Sequence, residues 1–325
     1  MTQPIGVVEG TFAGTDPHAV YALELSEIGS PHIPALAELP DVGPHATGLG
    51  SIAASISLPF ELRTYGWQLQ RGVRISSSDQ HRAIAHRDSV IQALVDVAQD
   101  DDVPEVSVRL PGPVTTMIDG MLPSGQRILR DPGARHDVAA AWVDAVENLT
   151  SRIYNVVGAH TTIFVQEPQA GQAIEGRIRS VSGADVERAL DLNEVRSMWQ
   201  QAATTGATVL IDTTTELAAT AAEVGSVALA LPTGRTHQAE HTWELVDTLI
   251  SAEKPVALYM PRHGDPNRFA EEFIHQYLDW GLSPESIGYL RLTSRFEMGS
   301  QQTVGPGLEW LRTMAEHAPG HLSTL

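Results

Sequence analysis

Short apolar runs, each too brief for a helix, recur along this chain, and most are followed by a longer amphipathic segment. They are Ile5–Phe12, Tyr65–Gln70, Glu105–Leu110, a run from Thr161 to Pro168, Ala207–Ile211, Val227–Leu231, Val256–Met260 and Ile287–Leu292. β-Branched and aromatic residues dominate the Thr161 run, as expected of a buried strand. Strands that alternate with helices imply parallel βαβ units. Eight of them in 325 residues predict an α/β fold, a single closed (β/α)8 barrel over residues 1–325, rather than an open doubly wound sheet. No Gly-x-Gly-x-x-Gly follows any run, which argues against a dinucleotide fold.

A helix start is legible at Asp16-Pro17, with Asp as N-cap and Pro at N1, and further helices open at Asp131-Pro132 and at Asp265. Helices are predicted from there to about Ile28, Val157 and Trp280, and over Asp79–Ala98, Asn193–Thr205, Glu216–Glu223, Gln238–Ala252 and Gly307–His317. Pro31–Gly50 is rich in Pro, Gly and His. It is read as part of an irregular loop insertion over about 29–64. Trp67, Trp142, Trp199 and Trp243 are expected in the core.

Composition narrows the function. Net charge is −19 and the pI near 5.0, which argues against nucleic acid and anionic membrane as partners. Of 21 basic residues only Lys254 is lysine, so a lysine phosphate loop or Schiff base is disfavoured. With no cysteine, disulfides, thiol nucleophiles and Cys-ligated metal are excluded. No signal-peptide pattern opens the chain and no apolar run reaches the ~20 residues of a membrane span. The expectation is a cytoplasmic protein with a small-molecule ligand.

In a (β/α)8 barrel the chemistry sits at the C-terminal ends of the strands. The polar residues there are Thr11, Arg109, Gln166, Glu167, Asp212, Arg262, His263 and Arg295. Glu167 and Asp212, from neighbouring strands, are the candidate catalytic pair for acid–base work or a hard metal ion. The arginines suit a carboxylate or phosphate, and Thr11, Gln166 and His263 join them as candidate substrate-binding residues. A buried salt-bridge network without catalysis is the competing reading. His237-Gln238-Ala239-Glu240-His241 matches a metalloprotease pattern, but in this position it reads as a polar helix start.

Leu110-Pro111-Gly112-Pro113-Val114-Thr115 resembles the Gly-Pro-x-Thr turn of cobalamin-independent methionine synthase. Val165-Gln166-Glu167-Pro168 is similar to that family's Asp-Glu-Pro, and Gly10-Thr11-Phe12-Ala13-Gly14-Thr15-Asp16 to its first-strand turn. Pro31-His32-Ile33-Pro34, Asp131-Pro132-Gly133-Ala134-Arg135 and Ser180-Val181-Ser182-Gly183 are similar to the short, single-barrel actinobacterial members. The resemblance implies a barrel of the type shared with uroporphyrinogen decarboxylase. It also implies methyl transfer from 5-methyltetrahydrofolate to homocysteine, giving methionine, with zinc holding the thiolate and an amino-acid or folate-like ligand in the pocket. The family's zinc positions are occupied here by Asp212, Thr214, Leu231 and Phe296. The departure points to a family member without the zinc-dependent reaction, or to a non-catalytic ligand-binding or scaffolding barrel.

Overall fold

The architecture is that of a computed structural model describing residues 3–70, 76–99, 101–231, 236–260, 265–299 and 301–322. The chain opens with β1 (Ile5–Phe12), α1 (Pro17–Ile28), α2 (Leu49–Ala53), β2 (Phe60–Arg63), β3 (Gly66–Leu69) and α3 (Ser78–Ala98). There follow β4 (Glu105–Pro111), α4 (Pro113–Asp119), α5 (Pro132–Val157), β5 (His160–Glu167), α6 (Ala170–Ile174) and α7 (Leu192–Ala202). The last part is β6 (Thr208–Thr213), α8 (Thr215–Val224), β7 (Ser226–Ala230), α9 (His237–Ser251), β8 (Val256–Tyr259), α10 (Pro266–Asp279), β9 (Leu290–Gly299) and α11 (Gln301–Leu322).

Seven strands pair in parallel in the order β1-β9-β8-β7-β6-β5-β4, and the sheet curls until β1 and β4 face each other across one gap. Residues 33–38 fill it. Ile33 N donates to Gly6 O at 2.9 Å and Val8 N to Ile33 O at 2.9 Å, while Phe12 N reaches Glu38 O at 2.9 Å. On the other side Ser107 N donates to Pro34 O at 2.8 Å and Leu36 N to Ser107 O at 2.7 Å. These residues therefore supply the remaining wall of the (β/α)8 barrel. Tyr65–Gln70, counted among the eight strands from sequence, instead overlaps β3 of a separate antiparallel hairpin with β2. Pro34 has no N–H to donate and alanines carry little strand preference, so the true second strand looks like loop.

Helix starts follow side-chain chemistry. Asp16, Ser77, Asp131, Asp191, Thr236 and Asp265 each accept from a backbone N–H of the first turn, a cap that contributes about 1 kcal/mol. The helices shield the outward strand faces. Trp67, Trp142, Trp199 and Trp243 are all buried. Inside the barrel a separate apolar layer of Val7, Ile33, Phe164, Leu210, Ala228 and Ala257 fills the middle, as side chains from alternating positions do in such barrels.

Candidate functional site

Side chains two residues beyond that apolar layer also point inward, because strand residues alternate between faces. On β1, β5, β6 and β8 this places Glu9, Gln166, Asp212 and Tyr259 just above Val7, Phe164, Leu210 and Ala257. They form a polar layer at the C-terminal mouth. Glu9, 1% exposed, sits at its centre. Its Oε1 accepts from Gln166 Nε2 at 3.0 Å, and Arg109 Nε lies 3.7 Å away. β1 and β5 are not neighbours, so this contact crosses the barrel interior. The Tyr259 hydroxyl donates to Asp212 Oδ2 at 2.9 Å. Thr11, at the end of β1, is also buried.

A second carboxylate borders this layer. Glu38, buried at the end of the 33–38 wall, accepts from Ser51 Oγ at 3.2 Å. Burial pushes its carboxyl up to about 7, opposed by the Arg109 guanidinium and Ser51 and reinforced by Glu9. Glu38, Arg109, His45 and His86 line a small adjoining cavity of about 40 Å³. A group that changes charge near neutral pH beside a fixed guanidinium is equipped to give or take a proton.

Glu167 is placed differently from the sequence expectation. Strand alternation turns it away from Gln166 and into the helix layer, where it is fully buried. Val114 N, Thr115 N and Thr115 Oγ1 donate to its carboxylate at 3.0, 2.8 and 2.8 Å, and Trp199 Nε1 approaches at 3.4 Å. It thus supplies the N-terminal cap of α4 that Gly112 cannot. A Cβ on Gly112 would stand 2.3 Å from Glu167 Oε1, so the glycine makes room for the carboxylate. Burial pushes this carboxyl up to about 7 against the pull of the four donors. Glu167 and Asp212 do not form the expected pair.

Arg109 and Gln166 are brought together through Glu9, and Asp212 lies opposite Gln166 in the β5–β6 register. Arg295 is placed by its backbone opposite Glu9 in the β1–β9 register. Arg262 and His263 lie outside the described residues. Glu9, Glu38 and Tyr259 escaped the sequence reading. Glu9 had a usable signal, since a carboxylate inside an apolar run is rarely buried without purpose. Glu38 was hidden by the apparent loop.

The thiolate zinc centre does not fit this mouth. Asp212 is held by Tyr259, Thr214 precedes the first turn of α8, and Leu231, just past β7, donates its N–H to Tyr259 O at 3.2 Å. The chain has no cysteine thiolate to offer. Among the described residues no three His, Cys, Asp or Glu side chains gather in a way that would hold a metal. His237 and His241 stand on α9, outside the barrel, each near a glutamate of the same helix at 3.5 and 3.8 Å.

No protein-family model matches this chain, and no curated protein does. Among solved structures it is similar to a methyltransferase from Methanosarcina mazei, with a TM-score of 0.55 over 97% of this chain and 94% of that one. The two share a fold. At 10% identity the likeness extends to the barrel as a whole and not to particular site residues.

Proposed function

We propose that this chain is a methyltransferase-type barrel of the methionine synthase kind whose substrate seat is the mouth layer. The observation that carries the reading is the cross-barrel cluster of Gln166, Glu9 and Arg109, set beside the Asp212–Tyr259 pair. It places fixed donors and acceptors around one point at the catalytic end of the fold. The shared fold with a methyltransferase and the strand-end motifs support the same class of reaction. In this reading Arg109 and Gln166 orient a polar, carboxylate-bearing ligand, Asp212 accepts the proton of the group that is methylated, and the tetrahydrofolate nitrogen that gives up the methyl group takes a proton from water. With it goes the cytoplasmic location expected from sequence. The zinc-thiolate route is left out, because the residues at those positions do not fit it.

A non-catalytic ligand-binding barrel is the second reading. Its support is that Gln166 and Arg109 both engage Glu9, so that these polar groups satisfy one another. Titration calorimetry with 5-methyltetrahydrofolate and with homocysteine, followed by transfer of labelled methyl, separates the two. The expected result is 5-methyltetrahydrofolate binding that weakens at least tenfold in Arg109→Met, as loss of a charged hydrogen bond does. Methyl transfer should fall in Asp212→Asn. Binding without any transfer favours the second reading. The absence of binding, or transfer that Asp212→Asn leaves unchanged, overturns the first.

A further inference from the structure

Away from the barrel interior, the same C-terminal face carries a cleft of about 480 Å³, within the usual range for small-molecule sites. Three connections build its walls: the β2–β3 hairpin, the segment between α4 and α5, and the turn at 180–187. All three follow strand ends. The walls are laced together by backbone. Leu69 N donates to Met121 O at 2.8 Å, Met121 N to Trp67 O at 3.0 Å and Leu122 N to Gln126 O at 2.7 Å. Arg127 Nε then ties this ladder to the third wall through Arg179 O at 3.0 Å. Such a cleft is formed before any ligand arrives.

Its lining is chemically unusual. Glu187 is 3% exposed within a turn whose neighbours Val186 and Arg188 are exposed, and its Oε2 is buried with no hydrogen-bond partner. No ion pair of Glu187 is found among the described residues, though Arg63 and Arg130 line the same cleft. Leaving a buried carboxylate oxygen unpaired costs stability. The turn accepts that cost at a residue that lines a ligand-sized space. Tyr65, 82% exposed, stands at the tip of the β2–β3 hairpin, which forms another wall of the cleft. An exposed aromatic beside a buried acceptor is the arrangement that grips a flat ring, face on tyrosine and edge on carboxylate. The arginines discriminate further. Arg63 is paired with Glu61 at 2.7 Å, which leaves Arg130 to repel a simple cation, while Glu187 repels a simple anion. The occupant must carry donors at one end and negative charge at the other.

We propose that this cleft is a second binding site, for a planar nitrogen heterocycle that donates N–H groups to Glu187, stacks on Tyr65 and directs an anionic substituent to Arg130. The site is independent of the methyl-transfer reading, since none of its residues belongs to the mouth layer.

Guanosine 5′-monophosphate serves as the probe because its ring edge offers adjacent N–H donors and its tail is anionic. Inosine 5′-monophosphate lacks the exocyclic amino group and should bind more weakly. By calorimetry on the full chain, Glu187→Gln and Tyr65→Ala should each weaken guanosine 5′-monophosphate at least about tenfold and threefold respectively. The thermal midpoint of Glu187→Gln should hold or rise, because an unpaired buried charge has been removed. Tyr65→Ala, at an exposed tip, should melt as the parent does. No binding of the guanosine probe, or equal binding by parent and both variants, overturns the site. A lower midpoint in Glu187→Gln accompanied by lost binding also overturns it, because the carboxylate then serves only to hold the turn. Normal 5-methyltetrahydrofolate binding in Glu187→Gln keeps this result separate from the fate of the mouth.

Discussion

At the level of single residues, the neighbours Gln166 and Glu167 divide the work of one strand end. Gln166 faces the barrel and holds Glu9; Glu167 faces the helices and holds the first turn of α4. Replacing Glu167 with alanine leaves the N–H groups of Val114 and Thr115 without their acceptor in a dry environment. Chemical denaturation should show a loss of about 3 kcal/mol. Full stability combined with lost mouth-ligand binding would instead return this carboxylate to the mouth. The sequence announced that Glu167 matters, through its place before Pro168, but not which way it points. In parallel strands buried on both faces the apolar run is continuous, and the alternation that would assign a face is weak. Arg109 and Asp212 were legible as charged strand-end residues, and the register of Arg109 with Phe164 and the alternation of Asp212 from Leu210 put them on the inner face.

Among the elements, α4 shows how closely the site depends on its support. The helix is short, its N-cap residue Gly112 has no side chain, and the cap comes from β5. Gly112→Ala would push a methyl group against a carboxylate that cannot move without giving up its donors. A loss of about 2 kcal/mol is expected, read as a lower thermal midpoint, and an unchanged midpoint would mean that Glu167 swings freely. Most helices were legible from caps and periodicity: Pro17–Ile28 and Pro132–Val157 begin behind the aspartates that announced them. The second barrel strand was not. Its proline and alanines suppress local strand preference, and only the neighbours on both sides, β1 and β4, make it a wall. The β2–β3 hairpin imitated it, since alternation alone does not say which sheet a strand joins.

For the whole molecule, the buried carboxylates set the response to pH. Glu24, Glu38 and Glu167 are pushed by burial from the ordinary 4.5 to about 8, 7 and 7. Between those values the folded state holds protons that the unfolded chain has released. Their stabilising contribution is whole below 4.5 and is lost as pH rises through 7 to 8. His32 and His86, lowered from 6.5 by burial, oppose this trend only on the acidic side. The fold should therefore melt at least ~3 °C higher at pH 6.5 than at pH 8.5, measured by calorimetry at constant ionic strength. A flat or rising midpoint would show that these carboxylates stay ionised in the folded state. Among the described residues no helix is long and apolar enough to cross a membrane.

The wall at residues 33–38 has a consequence of a mechanical kind. Elsewhere around the circumference continuous ladders join strand to strand, whereas here isolated bridges from Ile33, Ala35 and Glu38 close the circle. The barrel is thus a ribbon fastened along one seam rather than a uniform hoop. Strain from heat or from an incoming ligand concentrates where the fastenings are fewest. Glu38 is stitched into that seam, so any parting of it would be felt at once beside Arg109, in the chemistry of the mouth.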